Sequence, residues 1–226
     1  MNYPEIRAFM CDIGKRVWTQ GWVAANDGNF SVKLADNLYI TTPTGVSKGF
    51  LTPDMLLLVD SEGNKLEESK WNPSSELPMH LRCYKERPDV GAVVHAHPPM
   101  ATAFAVAHIP LDSYTMPEAI MGIGAVPMAP YACPGTAEVP ESVAPFLPEH
   151  DAILLQNHGA LTVGADLQTA YFRMETLEYY AKLCFNTRLL GAEFELPEAR
   201  LEELMELRRS MKFTGRHPGI KKFDKR

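Results

Sequence analysis

Along the first twenty residues the apolar positions fall at Ile6, Phe9, Met10, Ile13 and Val17, the three-to-four spacing of one helix face, and Gly21 marks a stop. The period then changes. Phe30-Ser31-Val32-Lys33-Leu34 alternates as a half-buried strand does, Asp36-Asn37 turns the chain, and Leu38 to Thr42 returns, so a hairpin is predicted. Met55 to Val59 reads as a further short strand. Ser74-Ser75-Glu76 opens a helix, with two hydroxyls suited to capping, a carboxylate in the first turn and Pro78 early enough to be tolerated. That helix runs to about Glu86 and stops before Pro88. The apolar run through Val93-Val94 predicts a buried strand, residues 99–107 a helix, the Gly- and Pro-rich segment 120–140 strand and loop, and Ile153 to Leu155 another strand. Thr169 to Leu190 carries the clearest helical face, through Met174, Leu177, Ala181 and Cys184, with Gly191 just past its end; residues 197–211 form a charged amphipathic helix. No repeat or linker interrupts the series, so one domain, 1–226, is expected, with a mobile polar tail from about residue 212. Hairpin-like strands mixed with covering helices give a layered α/β sandwich on a mixed sheet.

Composition narrows the partners. The 226 residues suffice for a sizeable core, and 46% are apolar. A net charge of −6 argues against nucleic acid, which asks for a basic face. The basic end Lys221-Lys222-Phe223-Asp224-Lys225-Arg226 reads as a solubilising terminus. Cys11, Cys83, Cys133 and Cys184 show no C-x-x-C spacing, so free and mostly buried thiols in a reducing compartment are expected. No apolar stretch follows Met1-Asn2-Tyr3-Pro4-Glu5 as a signal peptide requires, and no run reaches the ~18 residues of a membrane span. A cytoplasmic protein without a membrane partner is the expectation.

The candidate chemistry lies in three histidines, each following an apolar run: His95 and His97 in Val93-Val94-His95-Ala96-His97, and His158 in Leu154-Leu155-Gln156-Asn157-His158. Side chains at i and i+2 leave a strand on the same face, so His95 and His97 point the same way. If His158 meets them, three imidazoles form a metal site whose open fourth position marks a catalytic ion. His80 falls inside a helix, where solvent or a packed interface is expected, and His108, His150 and His217 fall in loops near prolines or charges. Glu76 is either a carboxylate favoured by the helix dipole or a general acid/base beside the metal. Gly28-Asn29, Thr44-Gly45 and Ser74-Ser75 are small polar turns; each alone is ordinary turn chemistry, and together they could cradle a phosphate if the fold unites them.

Read in order, Gly28-Asn29-Phe30-Ser31, Thr42-Pro43-Thr44-Gly45, Ser74-Ser75-Glu76, His95-Ala96-His97-Pro98, Ala129-Pro130-Tyr131 and Gln156-Asn157-His158-Gly159 resemble the class II aldolase/adducin family, over residues from about 5 to 190. The resemblance implies a three-layer α/β/α sandwich around a mixed, mostly antiparallel sheet, and a homotetramer with sites between subunits. It implies Zn2+ on His95, His97 and His158, a phosphate held by Gly28, Asn29, Thr44, Gly45, Ser74 and Ser75, and Glu76 as catalytic acid/base. The implied reaction is cleavage of a ketose 1-phosphate, L-fuculose 1-phosphate or a related deoxy- or methylthio-pentulose 1-phosphate, to dihydroxyacetone phosphate and a short aldehyde.

This chain also departs from the pattern. Tyr114 lies where such aldolases send a tyrosine into a neighbouring subunit's site, but Met116-Pro117-Glu118-Ala119 differs after it, so Tyr114 and Glu118 are both candidates for a second acid/base. No tyrosine follows Tyr180, where a C-terminal one is expected. Epimerase, dehydratase and decarboxylase chemistry on the same fold are alternatives, as is a non-catalytic adducin-like interaction module, which predicts degraded metal ligands. Cupins need a Glu shortly after H-x-H and metallo-β-lactamase-like hydrolases an Asp two residues after the second His; Pro98-Pro99-Met100-Ala101 stands there instead.

Overall fold

A computed structural model describes residues 3–223; Met1, Asn2 and the last three residues of the basic end lie outside them. The elements run α1 (Tyr3–Thr19), β1 (Asn29–Ala35), β2 (Leu38–Thr41), β3 (Leu57–Val59), α2 (Leu77–Glu86), β4 (Ala92–Ala96), α3 (Pro99–Val106), α4 (Pro117–Gly122), β5 (Met128–Ala129), α5 (Glu138–Val143), β6 (Ala152–Leu155), β7 (Gly159–Gly164), α6 (Leu167–Leu190) and α7 (Glu198–Ser210). Seven strands form one sheet in the order β3-β2-β1-β4-β7-β6-β5. Every pairing is antiparallel except β5 with β6.

Strand alternation divides the interior into two cores. Phe30 and Val32 of β1, Val94 and Ala96 of β4 and Leu154 of β6 pack with α1, α3 and α6. Val93, Ile153, Leu155, Leu161 and Val163 point the other way, against Leu77, Met79 and Cys83 of α2 and Val139 and Val143 of α5. The result is the three-layer α/β/α sandwich with a mostly antiparallel sheet. Helix ends follow local chemistry: Asp166 accepts from the Thr169 amide at the start of α6, and Gly191, at φ 74°, closes it.

Several elements differ from the sequence expectation. Pro53–Met55 is a 3-10 turn, which shortens the predicted Met55–Val59 strand to Leu57–Val59. The segment read as strand and loop over 120–140 carries only the two-residue β5, between the end of α4 and the start of α5. The chain after His158 forms β7, a full central strand. Cys83 and Cys184 are buried and Cys11 partly so, while Cys133 is exposed. Tyr114, Ile120, Ala125 and Leu201 form a third, small cluster under α7. The chain beyond α7 contacts the body as far as Phe223: Arg173 Nη2 donates to the Thr214 carbonyl (2.7 Å), the His217 ring to the Ile120 carbonyl (2.6 Å), and Tyr114 to the Lys221 carbonyl.

Beneath that tail lies a buried ion cluster. Asp151, with no exposed side-chain surface, sits 2.9 Å from Arg87 Nη2 and 2.8 Å from Arg173 Nη2. Removing one partner of such a cluster strands the others without water. Asp151→Ala is therefore expected to cost roughly 3–5 kcal/mol, read as a lowered urea midpoint. Asp36→Ala, which removes the fully exposed partner of the Lys33–Asp36 pair, leaves the midpoint in place. An unchanged midpoint for Asp151→Ala would contradict this account.

Candidate metal centre and its carboxylate

Antiparallel register builds the site. Asn29, at the start of β1, stands opposite His95 on β4. His97 follows two residues later, just past the end of β4, and its amide donates to the Trp22 carbonyl (2.8 Å). His158 lies in the turn between β6 and β7, one step beyond Asn157, which holds a left-handed φ of 54° and accepts from His108 Nε2 at 2.7 Å. Asparagine tolerates that conformation. Gly159 lets the turn press close, since a Cβ there would stand 2.6 Å from both the Ala96 carbonyl and the His97 ring. Gly28, at φ 74°, has no room for a Cβ either, which would fall 2.5 Å from Val23.

The three rings meet. Their centroids are 5.0 Å (His95–His97), 4.7 Å (His95–His158) and 5.0 Å (His97–His158) apart. One nitrogen from each lies within 4.8 Å of the others, so the group could hold a metal ion. His95 Nδ1 is 2.9 Å from the Ala160 carbonyl, which can only accept; the proton is thus on Nδ1, and Nε2 keeps its lone pair for the cluster. His97 Nε2 is 3.1 Å from His95 Nε2, and His97 Nδ1 is 3.6 Å from Asp27.

Glu76, the residue just before α2, reaches the same point. Its two oxygens lie 3.3 Å from His95 Nε2 and 3.3 Å from His158 Nε2. Oε2 accepts from Asn29 Nδ2 at 2.8 Å, whereas the buried Oε1 has no donor aimed at it. Burial opposes charge on Glu76, but His95, His158 and the Asn29 amide outweigh it and hold the carboxyl well below the usual range. Burial and the charge of His95 push His97 down to about 3 and His158 to about 4. His95 moves upward: burial works against its charge, and the adjacent Glu76 carboxylate overcomes that. Three converging imidazoles, with the His95 Nε2 lone pair turned to the cluster, and an orphaned anionic oxygen suit a divalent cation.

The small polar turns also come together. Pro43 and Pro73 form a bridge, the Thr44 amide donates to the Asn72 carbonyl (2.9 Å) and the Ser74 amide to the Thr42 carbonyl (3.3 Å). The Phe30 amide donates to Thr42 Oγ1 at 3.1 Å, which fixes Gly28-Asn29 beside them. Thr44, Gly45 and Ser75 are exposed at this rim. Tyr114 and Glu118 are placed elsewhere in the protomer. Tyr114 is buried in the small third cluster with its hydroxyl committed to Lys221. Glu118 is exposed in the first turn of α4, along a groove with Gln20, Trp22 and Glu178.

Three contributors were not singled out from sequence. Of the two settings expected for His80 the structure shows the packed interface; the ring is buried between α2 and the sheet with polar partners on both nitrogens. Its position four residues after Glu76, with Tyr84 four further on, was the available signal. Asp27 flanks His97. Lys48, 1% exposed, donates to the Asn26 (2.9 Å) and Val46 (2.7 Å) carbonyls and so ties two of the polar turns; burial pushes it down to about 8.

Comparison with known proteins follows the same lines. Residues 8–185 match the family described as Class II Aldolase and Adducin N-terminal domain. The chain is 37% identical to the L-fuculose phosphate aldolase of Methanococcus maripaludis over 171 residues, 76% of this chain and 91% of that protein. It is 35% identical to the 3-oxo-tetronate 4-phosphate decarboxylase of Haemophilus influenzae over 184 residues, 79% of this chain and 86% of that protein. An L-fuculose 1-phosphate aldolase structure superposes with a TM-score of 0.83 at 30% identity, covering 92% of this chain and 97% of the other.

The ligand geometry yields a direct expectation. His158→Ala lowers divalent-metal affinity by at least about 10–100-fold, the loss that even outer partners of a ligand produce, measured as metal per chain by mass spectrometry. His108→Ala, beside the turn but outside the cluster, keeps its metal. A fully loaded His158→Ala protein would remove His158 from the site.

Proposed function

The chain belongs to the class II aldolase and adducin family, and from that premise we propose that it is a divalent-metal-dependent aldolase cleaving a ketose 1-phosphate. The substrate in this reading is L-fuculose 1-phosphate or a related deoxy- or methylthio-pentulose 1-phosphate. The products are dihydroxyacetone phosphate and a short aldehyde. The observation that carries it is the convergence of His95, His97 and His158 on a Glu76 carboxylate whose oxygens stand 3.3 Å from two of the ring nitrogens.

His95, His97 and His158 would hold the ion, zinc in this proposal, which when bound supplies Lewis-acid stabilisation of negative charge on the substrate's carbonyl oxygen. The remaining steps fall to the chain itself. Gly28, Asn29, Thr44, Gly45, Ser74 and Ser75 are proposed to hold the phosphate, using backbone amides and hydroxyls at one rim. Scission leaves an electron pair on the carbon beside the ketone; the proton released by the hydroxyl that becomes the aldehyde passes through the second acid/base and solvent to Glu76, which delivers it to that carbon. In the condensation direction Glu76, ionised at rest, takes that proton away. The proton of the hydroxyl that becomes the aldehyde needs a second acid/base. In this proposal Glu118, exposed on α4, takes that role from a neighbouring subunit; the alternative, Tyr114, is buried with its hydroxyl on the Lys221 carbonyl. Exposed Leu189, Leu190 and Phe194 at the end of α6 support association into the proposed homotetramer. Among the described residues no helix is long and apolar enough to cross a membrane; we place the enzyme in the cytoplasm.

A second reading has its own support, the 35% identity to a 3-oxo-tetronate 4-phosphate decarboxylase. Loss of carbon dioxide beside a ketone leaves the same kind of electron pair for Glu76 to protonate. The two readings separate by substrate and by carbon dioxide, since both reactions release dihydroxyacetone phosphate. With L-fuculose 1-phosphate the protein is expected to form dihydroxyacetone phosphate, detected by coupled reduction to glycerol 3-phosphate; chelation abolishes the activity and zinc restores it. Glu76→Gln keeps its metal and loses about 10²–10⁴-fold in turnover. Carbon dioxide from a 3-oxo-tetronate 4-phosphate, with no triose phosphate from any ketose 1-phosphate, would replace the aldolase reading with the decarboxylase one.

A further inference from the structure

We propose that His80 is a positioning residue for Glu76, acting through a one-way chain of buried hydrogen bonds that begins at Tyr84. The inference rests on the reading of Glu76 as the acid/base. Glu76, His80 and Tyr84 are spaced four residues apart along α2 and its entry, and Asn29 and Ser31 project from one face of β1 toward them. The links run Glu76 Oε2 to Asn29 Nδ2 (2.8 Å), Asn29 Oδ1 to His80 Nε2 (2.6 Å), His80 Nδ1 to Ser31 Oγ (2.7 Å) and Ser31 Oγ to Tyr84 hydroxyl (2.8 Å).

The chemistry of each group allows a single direction once Glu76 is ionised. A carboxylate only accepts, so Asn29 presents its amide nitrogen to Glu76 and its oxygen to His80. That oxygen only accepts, so His80 carries its proton on Nε2. A neutral ring then accepts at Nδ1, and Ser31 donates to it. The serine oxygen is left to accept from Tyr84. Asn29, Ser31, His80 and Tyr84 are each 4% exposed or less, so water does not compete for any link. Burial pushes His80 down to about 3, which keeps the ring neutral and the direction fixed.

The consequence is geometric. An asparagine amide can rotate to exchange its oxygen and nitrogen. Here the rotated amide would aim oxygen at carboxylate and nitrogen at the His80 N–H, two repulsive contacts in a dry interior. His80 thus holds Asn29 in the orientation that grips Glu76 Oε2, and the carboxylate is aimed before substrate arrives. A misplacement of about 1 Å at a reacting group is enough to lose about 10²-fold in rate.

The test uses the metal-loaded protein. His80→Phe, which fills the space without a donor, is expected to lower kcat by about 10–100-fold with KM within about twofold and metal content unchanged. His80→Gln, whose amide can donate to Asn29 and accept from Ser31, recovers most of kcat. Wild-type kcat in His80→Phe, or no recovery in folded His80→Gln, would overturn the proposal. Should His80→Phe not fold, Ser31→Ala removes the link to Tyr84 at little change of volume; a lowered kcat at constant KM is expected and an unchanged kcat counts against the chain. A readout independent of turnover is the imidazole 15N spectrum, with the His80 signals assigned by their loss in His80→Gln. Nε2 protonated and Nδ1 bare is the expected tautomer, and a proton on Nδ1 refutes the direction. That tautomer in a protein inert toward every ketose 1-phosphate would instead count against the proposed function alone.

Discussion

The antiparallel register of β1 against β4 is the constraint on which the rest of the structure depends. Pairing Asn29 with His95 and Ser31 with Val93 sets the polar positions of β1 and the metal-side histidine of β4 on the face covered by α2, while Phe30, Val32 and Val94 fill the opposite core. A slip of one residue would exchange the two faces and bury the polar set among α1, α3 and α6. The apolar positions enforce the register because both faces of the sheet are covered, so any slip desolvates polar groups without partners. The chemistry is in this sense held by the core: Phe30 and Val94 decide where Asn29 and His95 point.

Placing an anion, three imidazoles and a fourth histidine in one partly dry space is electrostatically expensive, and the arrangement shows how the strain is distributed. Glu76 keeps its charge through His95, His158 and Asn29, while His97, His158 and His80 give up theirs. Donated bonds from the Asn29 side and an undonated Oε1 on the histidine side leave the carboxylate anchored at one oxygen and open at the other. That asymmetry suits the proton transfer proposed for Glu76: one oxygen fixes the aim and the second remains available.

The fold and the convergence of the three histidines were legible because they follow simple periods. H-x-H after an apolar run, a histidine just beyond a second such run, and the alternating hairpin all survive as local patterns. The stretch Gly159–Gly164 was not legible as a strand, since its flanking glycines and short length hide a segment that tertiary pairing with β4 and β6 stabilises. Helices α4 and α5 lie in Pro- and Gly-rich sequence and are held by packing on α6 and α2 rather than by propensity. For His80 the choice between solvent and a packed interface stayed open, because a histidine inside a helix has no local signature of depth. The i, i+4 repeat through Glu76 and Tyr84 becomes informative only once β1 is known to lie beneath it. Tyr114 shows the converse: the sequence marks it by position, while the fold assigns its hydroxyl to the Lys221 carbonyl.

Aldol cleavage and decarboxylation differ in what leaves the substrate, not in what the protein must stabilise. Both place a pair of electrons beside a ketone and both end with a proton delivered to carbon. A centre built from three strand-end histidines and an aimed carboxylate therefore serves either, which accounts for 35–37% identity to proteins named for the two reactions. Discrimination must come from groups that meet the departing fragment, outside the histidine cluster. The histidine cluster and the groups that would meet a departing fragment thus answer to different constraints, the first to the sheet register and the second to the loops around it.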